Sequence, residues 1–162
     1  MIFYRLKDSP IQTGIITFDV LPENFDMMST EEEIIGQIDT LYIESLTDYI
    51  GEPFPIVSDD MFEVIQAYQS DVQSRTVSLT YHETGEKFEY WALNPLAIDY
   101  LYSETNSTFI LEEERIMSEH FFTVADIGTD DWFISLELLE SLLRRGFNGF
   151  KWEKIEIYNH KV

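Results

Sequence analysis

The stretch from Trp132 to Trp152 constrains this chain most, because the start, the body and the end of a strand–helix–strand unit are all written in it. Trp132-Phe133-Ile134 is a short apolar run. Ser135 follows at the place of a helix N-cap, where a hydroxyl accepts a hydrogen bond from an amide that the first turn leaves without a carbonyl. Glu137 lies in the first turn and Arg144-Arg145 in the last, so both ends agree with the helix dipole. Leu136, Leu139 and Leu143 recur at helical spacing, and Leu138 and Leu142 widen the stripe. Gly146 offers the positive φ that ends a helix at little cost. Asn148-Gly149 turns the chain, and Phe150, Trp152, Ile155 and Ile157 predict a returning strand with a bulge near Glu153-Lys154. This unit is expected to be the core against which the rest packs.

The same pattern occurs earlier. Phe54-Pro55-Ile56-Val57 is an apolar run, Ser58 an N-cap, and Asp59-Asp60 are first-turn acids. Met61, Ile65 and Tyr68 then share a helical face, with Phe62 and Val64 beside it. One copy of each does not decide between a duplication and a favoured local solution, and the second is the expected account. Between the two units, Val77, Leu79 and Tyr81 alternate with polar residues, Glu83-Thr84-Gly85-Glu86 turns, and Phe88, Tyr90 and Ala92 alternate on the return. That is a hairpin, stopped by Asn94-Pro95. Leu96 to Tyr102 is a short apolar segment whose type the pattern leaves open, and Ile110 to Ile116 is expected to be exposed. His120-Phe121-Phe122-Thr123-Val124 predicts another strand.

The first fifty residues are less regular. Met1 to Leu6 and Gly14 to Val20 read as strands and are expected to pair with each other as a small antiparallel ribbon. Ser29 or Thr30 caps an expected helical turn through Glu31-Glu32-Glu33-Ile34-Ile35, since three acids suit a helix N-terminus, and Gly36 then interrupts it. Tyr42, Leu46 and Tyr49 recur at near-helical spacing. Together these segments predict an α+β fold: a mostly antiparallel sheet of hairpins with two or more amphipathic helices packed on it. The 162 residues suit a single domain, divided into N-terminal strands and a helical segment over 1–52 and a more regular core over 53–162.

Charge limits the partners. The chain carries 31 acids and ten Lys or Arg, a formal net charge of −21. Lys and Arg are absent between Lys7 and Arg75, while residues 8–74 hold fifteen acids. A solubility bias or a salt-adapted proteome accounts for this blandly. The sharper account is a surface made to meet a basic protein, and the sign of the field disfavours direct contact with nucleic-acid phosphate. Apolar residues at 44% supply a core despite the charge. The N-terminal residues carry no apolar signal region and no run reaches the ~18 apolar residues of a membrane helix, so a cytoplasmic protein without membrane contact is expected.

Chemical motifs are scarce. The chain has no cysteine, and His82, His120 and His160 are far apart with no HExxH pattern. Asp59-Asp60, Asp130-Asp131 and Glu112-Glu113-Glu114 do not fit a calcium loop, and adjacent carboxylates on one element point apart. No nucleophile elbow or glycine-rich phosphate loop is present. The sequence therefore predicts no catalytic residue, no metal ligand and no cofactor.

The order of these motifs resembles a known family. Phe54-Pro55-Ile56-Val57-Ser58, the Val77 to Leu93 hairpin with Asn94, Ile98-Asp99-Tyr100, His120-Phe121-Phe122-Thr123, and Trp132-Phe133-Ile134-Ser135 through Leu142 to Gly146-Phe147-Asn148-Gly149-Phe150 look like immunity-protein family eleven of bacterial polymorphic toxin systems. The resemblance covers about residues 53–157. Tyr100-Leu101-Tyr102-Ser103 departs from it, standing where small and acidic residues are usual. The resemblance implies a non-enzymatic antidote that binds and neutralises a cognate toxin, a basic one such as a nuclease, by stoichiometric masking. Glu31-Glu32-Glu33 with Asp59-Asp60 is the first expected contact face, and Glu112-Glu113-Glu114 the second. Two other classes fit the acids: a hydrolase using clustered carboxylates around a divalent metal, and a structural or scaffold protein assembling through its acidic surface. The toxin and the oligomeric state are not readable from the chain.

Overall fold

Two large sheets and two helices share one central core. The computed structural model describes residues 2–9, 14–19, 33–41, 46–99, 102–105, 108–112, 116, 118–124 and 131–158, with backbone alone at 102–105, 108–112 and 157–158. In chain order the first half runs β1 (Phe3–Asp8), β2 (Gly14–Phe18), β3 (Ile34–Leu41), β4 (Tyr49–Ile50), β5 (Ile56–Ser58), α1 (Asp59–Tyr68), β6 (Gln73–Tyr81) and β7 (Lys87–Asn94). The second half runs β8 (Leu96–Ile98), β9 (Tyr102–Thr105), β10 (Thr108–Glu112), β11 (Phe121–Val124), β12 (Phe133–Ser135), α2 (Leu136–Arg144), β13 (Phe150–Lys154) and β14 (Ile157–Tyr158). The strands form a five-stranded sheet ordered β13-β1-β12-β11-β8, a six-stranded sheet ordered β2-β3-β6-β7-β5-β4, and a three-stranded sheet ordered β14-β10-β9. Pairing is antiparallel except at β3–β6, β8–β11 and β10–β14. The fold is α+β.

The central strands β1, β12 and β11 of the five-stranded sheet are buried on both faces, which explains their unbroken apolar runs. Phe3, Phe122, Val124 and Phe133 turn to one side and pack with Ile98 and Ile116. Leu6, Phe121 and Ile134 turn to the other, where Trp132, Leu138, Leu139 and Leu142 meet Met61, Phe62 and Ile65 of α1 and Val57 and Leu93 of the second sheet. Side chains of both sheets and both helices thus fill this cluster. Tyr68 Oη and Ser141 Oγ hydrogen-bond at 2.5 Å where the helices meet.

Both serine caps form as expected. Ser58 Oγ accepts from the Met61 amide and Ser135 Oγ from the Leu138 amide. The hairpin is also present, β6 pairing with β7 from Gln73↔Asn94 to Thr80↔Lys87. Gly146 takes a φ of 76°, and Gly149 one of 96°. A Cβ on Gly149 would lie 2.2 Å from the Tyr49 carbonyl oxygen, so the Asn148-Gly149 turn is also a docking point. Asp48 completes it: its carboxylate accepts from Ser58 Oγ at 2.9 Å and from the Asn148 amide at 3.1 Å, while Asn148 Oδ1 accepts from the Asp48 amide at 3.0 Å. One aspartate therefore ties the edge of the six-stranded sheet to the turn that leads into β13.

Several expectations are corrected. β1 and β2 do not pair with each other; β1 lies between β12 and β13, and β2 pairs with β3. Ile34-Ile35 belong to a strand rather than a capped helical turn, because Ile34, Gly36 and Ile38 are buried while Ile35, Gln37 and Asp39 are exposed. Ser29, Thr30, Glu31 and Glu32 lie outside the described residues. Gly36 does not interrupt β3. It makes room for the next strand, since a Cβ there would lie 2.7 Å from Phe18 Cδ1 and 2.9 Å from Leu79 Cδ2.

Tyr49-Ile50 form β4 and not the end of a helix, and Tyr42 lies outside the described residues. Ile116 is fully buried, against the expected exposure of 110–116. In α2 the inward stripe is Leu138, Leu139 and Leu142, and Leu143 is exposed, because the sheet contacts the helix one residue round from the expected centre. β13 keeps an unbroken register with β1 through Lys154, so no bulge falls at Glu153-Lys154. The chain leaves that sheet after Lys154 and enters the third one at Ile157.

The six-stranded sheet positions the candidate site. Ile34, Ile38, Ile56, Val77, Leu79 and Tyr90 fill its inner face. Phe18 on its edge strand meets Phe54, just before β5, with ring centroids 4.6 Å apart. That contact between distant parts of the sheet makes it a curled half-barrel. On the outer face α1 covers only β4, β5 and the far half of β7, through Val57, Leu93 and a Phe62–Trp91 stack at 4.5 Å. Among the described residues nothing covers the outer face of β2, β3, β6 and the near half of β7.

Candidate functional site

The bare face follows from strand alternation. With Ile34, Gly36 and Ile38 turned inward, Glu33, Ile35, Gln37 and Asp39 turn outward, and all four are exposed. Register sets their neighbours. Ile35 is opposite Ser78, and Ser78 is opposite Glu89. Gln37 is opposite Thr17 on one side and Thr80 on the other, and Thr80 is opposite Lys87. Asp19 closes the first of these rows, its amide bonding the Ile35 carbonyl. Asp39 accepts from Thr17 Oγ1 at 3.1 Å.

The row from Glu33 continues to Trp91, which sits opposite Thr76. Trp91 Nε1 donates to Asp59 Oδ1 at 2.8 Å and holds that carboxylate over the edge of the same face. Glu33 and Asp59, separated by most of three elements in sequence, therefore share one surface with Asp19 and Glu89.

The other expected contact residues fare differently. Asp60 is exposed but lines a groove of about 490 Å³ between the helices, with Glu63, Val64, Ala67, Arg145 and Phe147. Glu112 ends β10, and its side chain lies outside the described residues, as do Glu31, Glu32, Glu113 and Glu114. Asp19, Glu89 and Ile35 were missed. The alternation Ile34-in, Ile35-out was available once β3 is read as a strand, but three leading acids favour a helix start locally and hid it.

Charge is unevenly distributed over the molecule. The described residues within 14–19 and 33–94, which make up the six-stranded sheet and α1, contain twelve acids, with Arg75 and Lys87 as their bases. Arg75 is buried. Arg144 and Arg145 end α2, where Arg145 lines the groove with Asp60 and Glu63 of α1, while Lys7, Lys151 and Lys154 lie on β1 and β13, at the far side of the five-stranded sheet from β8. Lys7 pairs with Glu153 there and holds its carboxyl below the usual range.

Chemically suggestive pairs resolve into structure. His120 Nδ1 and Ser135 Oγ are 2.8 Å apart, the spacing of a nucleophile and its base. Ser135 is fully buried and its oxygen caps α2, so no substrate atom reaches it. Burial raises the Tyr49 and Tyr90 hydroxyls above their ordinary pKa, and Tyr90 donates to the Thr47 carbonyl at 2.7 Å. Among the described residues no three His, Asp or Glu side chains converge as a metal site, and no helix is long and apolar enough to cross a membrane.

No family model, curated protein or solved structure matches the chain.

Proposed function

We propose that this protein is an immunity protein: a stoichiometric inhibitor that binds and neutralises a basic toxin, such as a nuclease, and catalyses nothing itself. The observation that carries the reading is the one-sided charge. A sheet and helix holding twelve acids, with Lys87 as their exposed base among the described residues, present a negative field over one side of the molecule. Such a field draws in a cationic protein, speeds encounter and covers a cationic groove once bound. The motif order from Phe54 to Phe150 supports the same reading through its resemblance to immunity-protein family eleven. A nuclease active site, built to hold phosphate, is the kind of cationic target such a surface opposes.

The test is co-expression. The product of the adjacent gene is expressed with and without this chain, and survival is measured. Rescue is expected at equimolar levels, together with a one-to-one complex on gel filtration. Killing that persists beside soluble, folded protein removes the proposal. Association should also slow about tenfold or more as salt rises from low to physiological strength, because the attraction acts over roughly a Debye length of 8–10 Å.

A further inference from the structure

We infer that the docking surface is the outer face of β3 and its neighbours, with Ile35 as an apolar anchor inside a ring of Asp19, Glu33 and Glu89, and that it accepts a basic stretch of the partner protein bearing an apolar tip. This rests on the inhibitor reading above and specifies its contact face.

A solvated sheet face needs only polar residues at its outward positions. Thr17, Gln37, Ser78 and Thr80 meet that requirement, and Ile35 does not: it is 55% exposed. A lone exposed isoleucine is ordinary. Its surroundings are not. Ser78 beside it is short, so one flank of the isoleucine stands clear of the sheet. Asp19 lies on the other flank, Glu33 two residues before it, and Glu89 just beyond Ser78. An apolar centre that a partner can dry, surrounded by charges that stay at the wet edge, is the anatomy of a protein interface. The acids specify the sign of the partner.

Charge also separates this face from two other exposed apolar residues, Trp152 and Leu96. Trp152 is 46% exposed, but Lys151 and Lys154 flank it on β13 and Lys7 lies on the paired strand, where a basic partner is repelled. Leu96 is as exposed as Ile35, yet the groove beside it is lined by Gln69, Val72, Asn94 and Pro95 with Asp71 as its acid. A second copy of this chain is an unsuitable occupant, since a two-fold contact would set Asp19, Glu33 and Glu89 against their own counterparts.

The experiment titrates the adjacent-gene toxin with the full chain and three variants, after thermal melts establish that each is folded. Ile35→Lys is expected to weaken binding about 100-fold or more through faster dissociation. Glu33→Lys with Glu89→Lys is expected to slow association about tenfold and flatten its salt dependence. Glu137→Lys with Glu140→Lys, on the exposed side of α2, carries the same charge change and is expected to stay within about twofold. If wild type binds and both face variants bind like it, the face is wrong while the inhibitor reading stands. If wild type does not bind, the inhibitor reading fails and takes this inference with it. Sedimentation that shows an Ile35-dependent dimer with toxin binding unchanged reassigns the face to self-association and overturns the proposal.

Discussion

At the scale of single residues, buried and half-buried polar groups join parts of the chain that sequence separates. The Asp48 carboxylate accepts from Ser58 Oγ and from the Asn148 amide, and its own amide bonds Asn148 Oδ1. Asp48→Ala leaves the Ser58 and Asn148 donors without that acceptor, and a loss of about 2–3 kcal/mol is expected from two orphaned bonds, measured by urea denaturation. Asp8 shows the opposite electrostatic sign. Burial, then the Glu52 charge, raises its pKa above 3.8, against the lowering effect of the hydrogen bond from the Gly51 amide. The folded state therefore holds this proton more tightly than the unfolded one, and stability falls as pH rises through the folded pKa. Asp8→Asn should be more stable than wild type near neutral pH, with the gap closing as pH drops toward about 4, as followed by melting temperature.

At the scale of elements, each helix is defined by a serine at its start and a stripe on one side. The stripe in α2 is the part that local reading misplaced, because five leucines in eight residues satisfy more than one helical face. Only contact with α1, β12 and β1 selects Leu138, Leu139 and Leu142. Leu142→Ala is expected to cost about 3 kcal/mol, and Leu143→Ala less than about 1 kcal/mol, in paired denaturation curves. Equal losses would mean that the helix docks differently in solution. In β3 the misreading has another cause. Glu31-Glu32-Glu33 resembles a first turn, but Ile34 is recruited to a parallel pairing with β6, a partner more than forty residues away. Nothing local in the sequence announces a parallel neighbour.

For the whole molecule, the net charge of −21 acts both for and against the protein. It works against compactness, because the acids of the six-stranded sheet repel one another. It works for encounter, because they attract a cationic partner from a distance. Monovalent salt should therefore raise the melting temperature by several degrees between about 20 and 500 mM while slowing association with the partner. Opposite responses in these two measurements would trace both to one field. A melting temperature indifferent to salt would mean that the folded surface has already separated its charges.

The amino-acid order by itself determined the serine caps, the β6–β7 hairpin, the apolar runs of the five-stranded sheet and the imbalance of charge. These depend on neighbours within a turn or two, or on sums over the chain. Tertiary structure alone decided which strands pair, which leucines face inward, and that Asp19, Glu33 and Glu89 meet around Ile35 with Asp59 at the edge of the same face. Those outcomes depend on register between segments far apart in sequence, and register is set when distant apolar faces are buried together, which no local window contains.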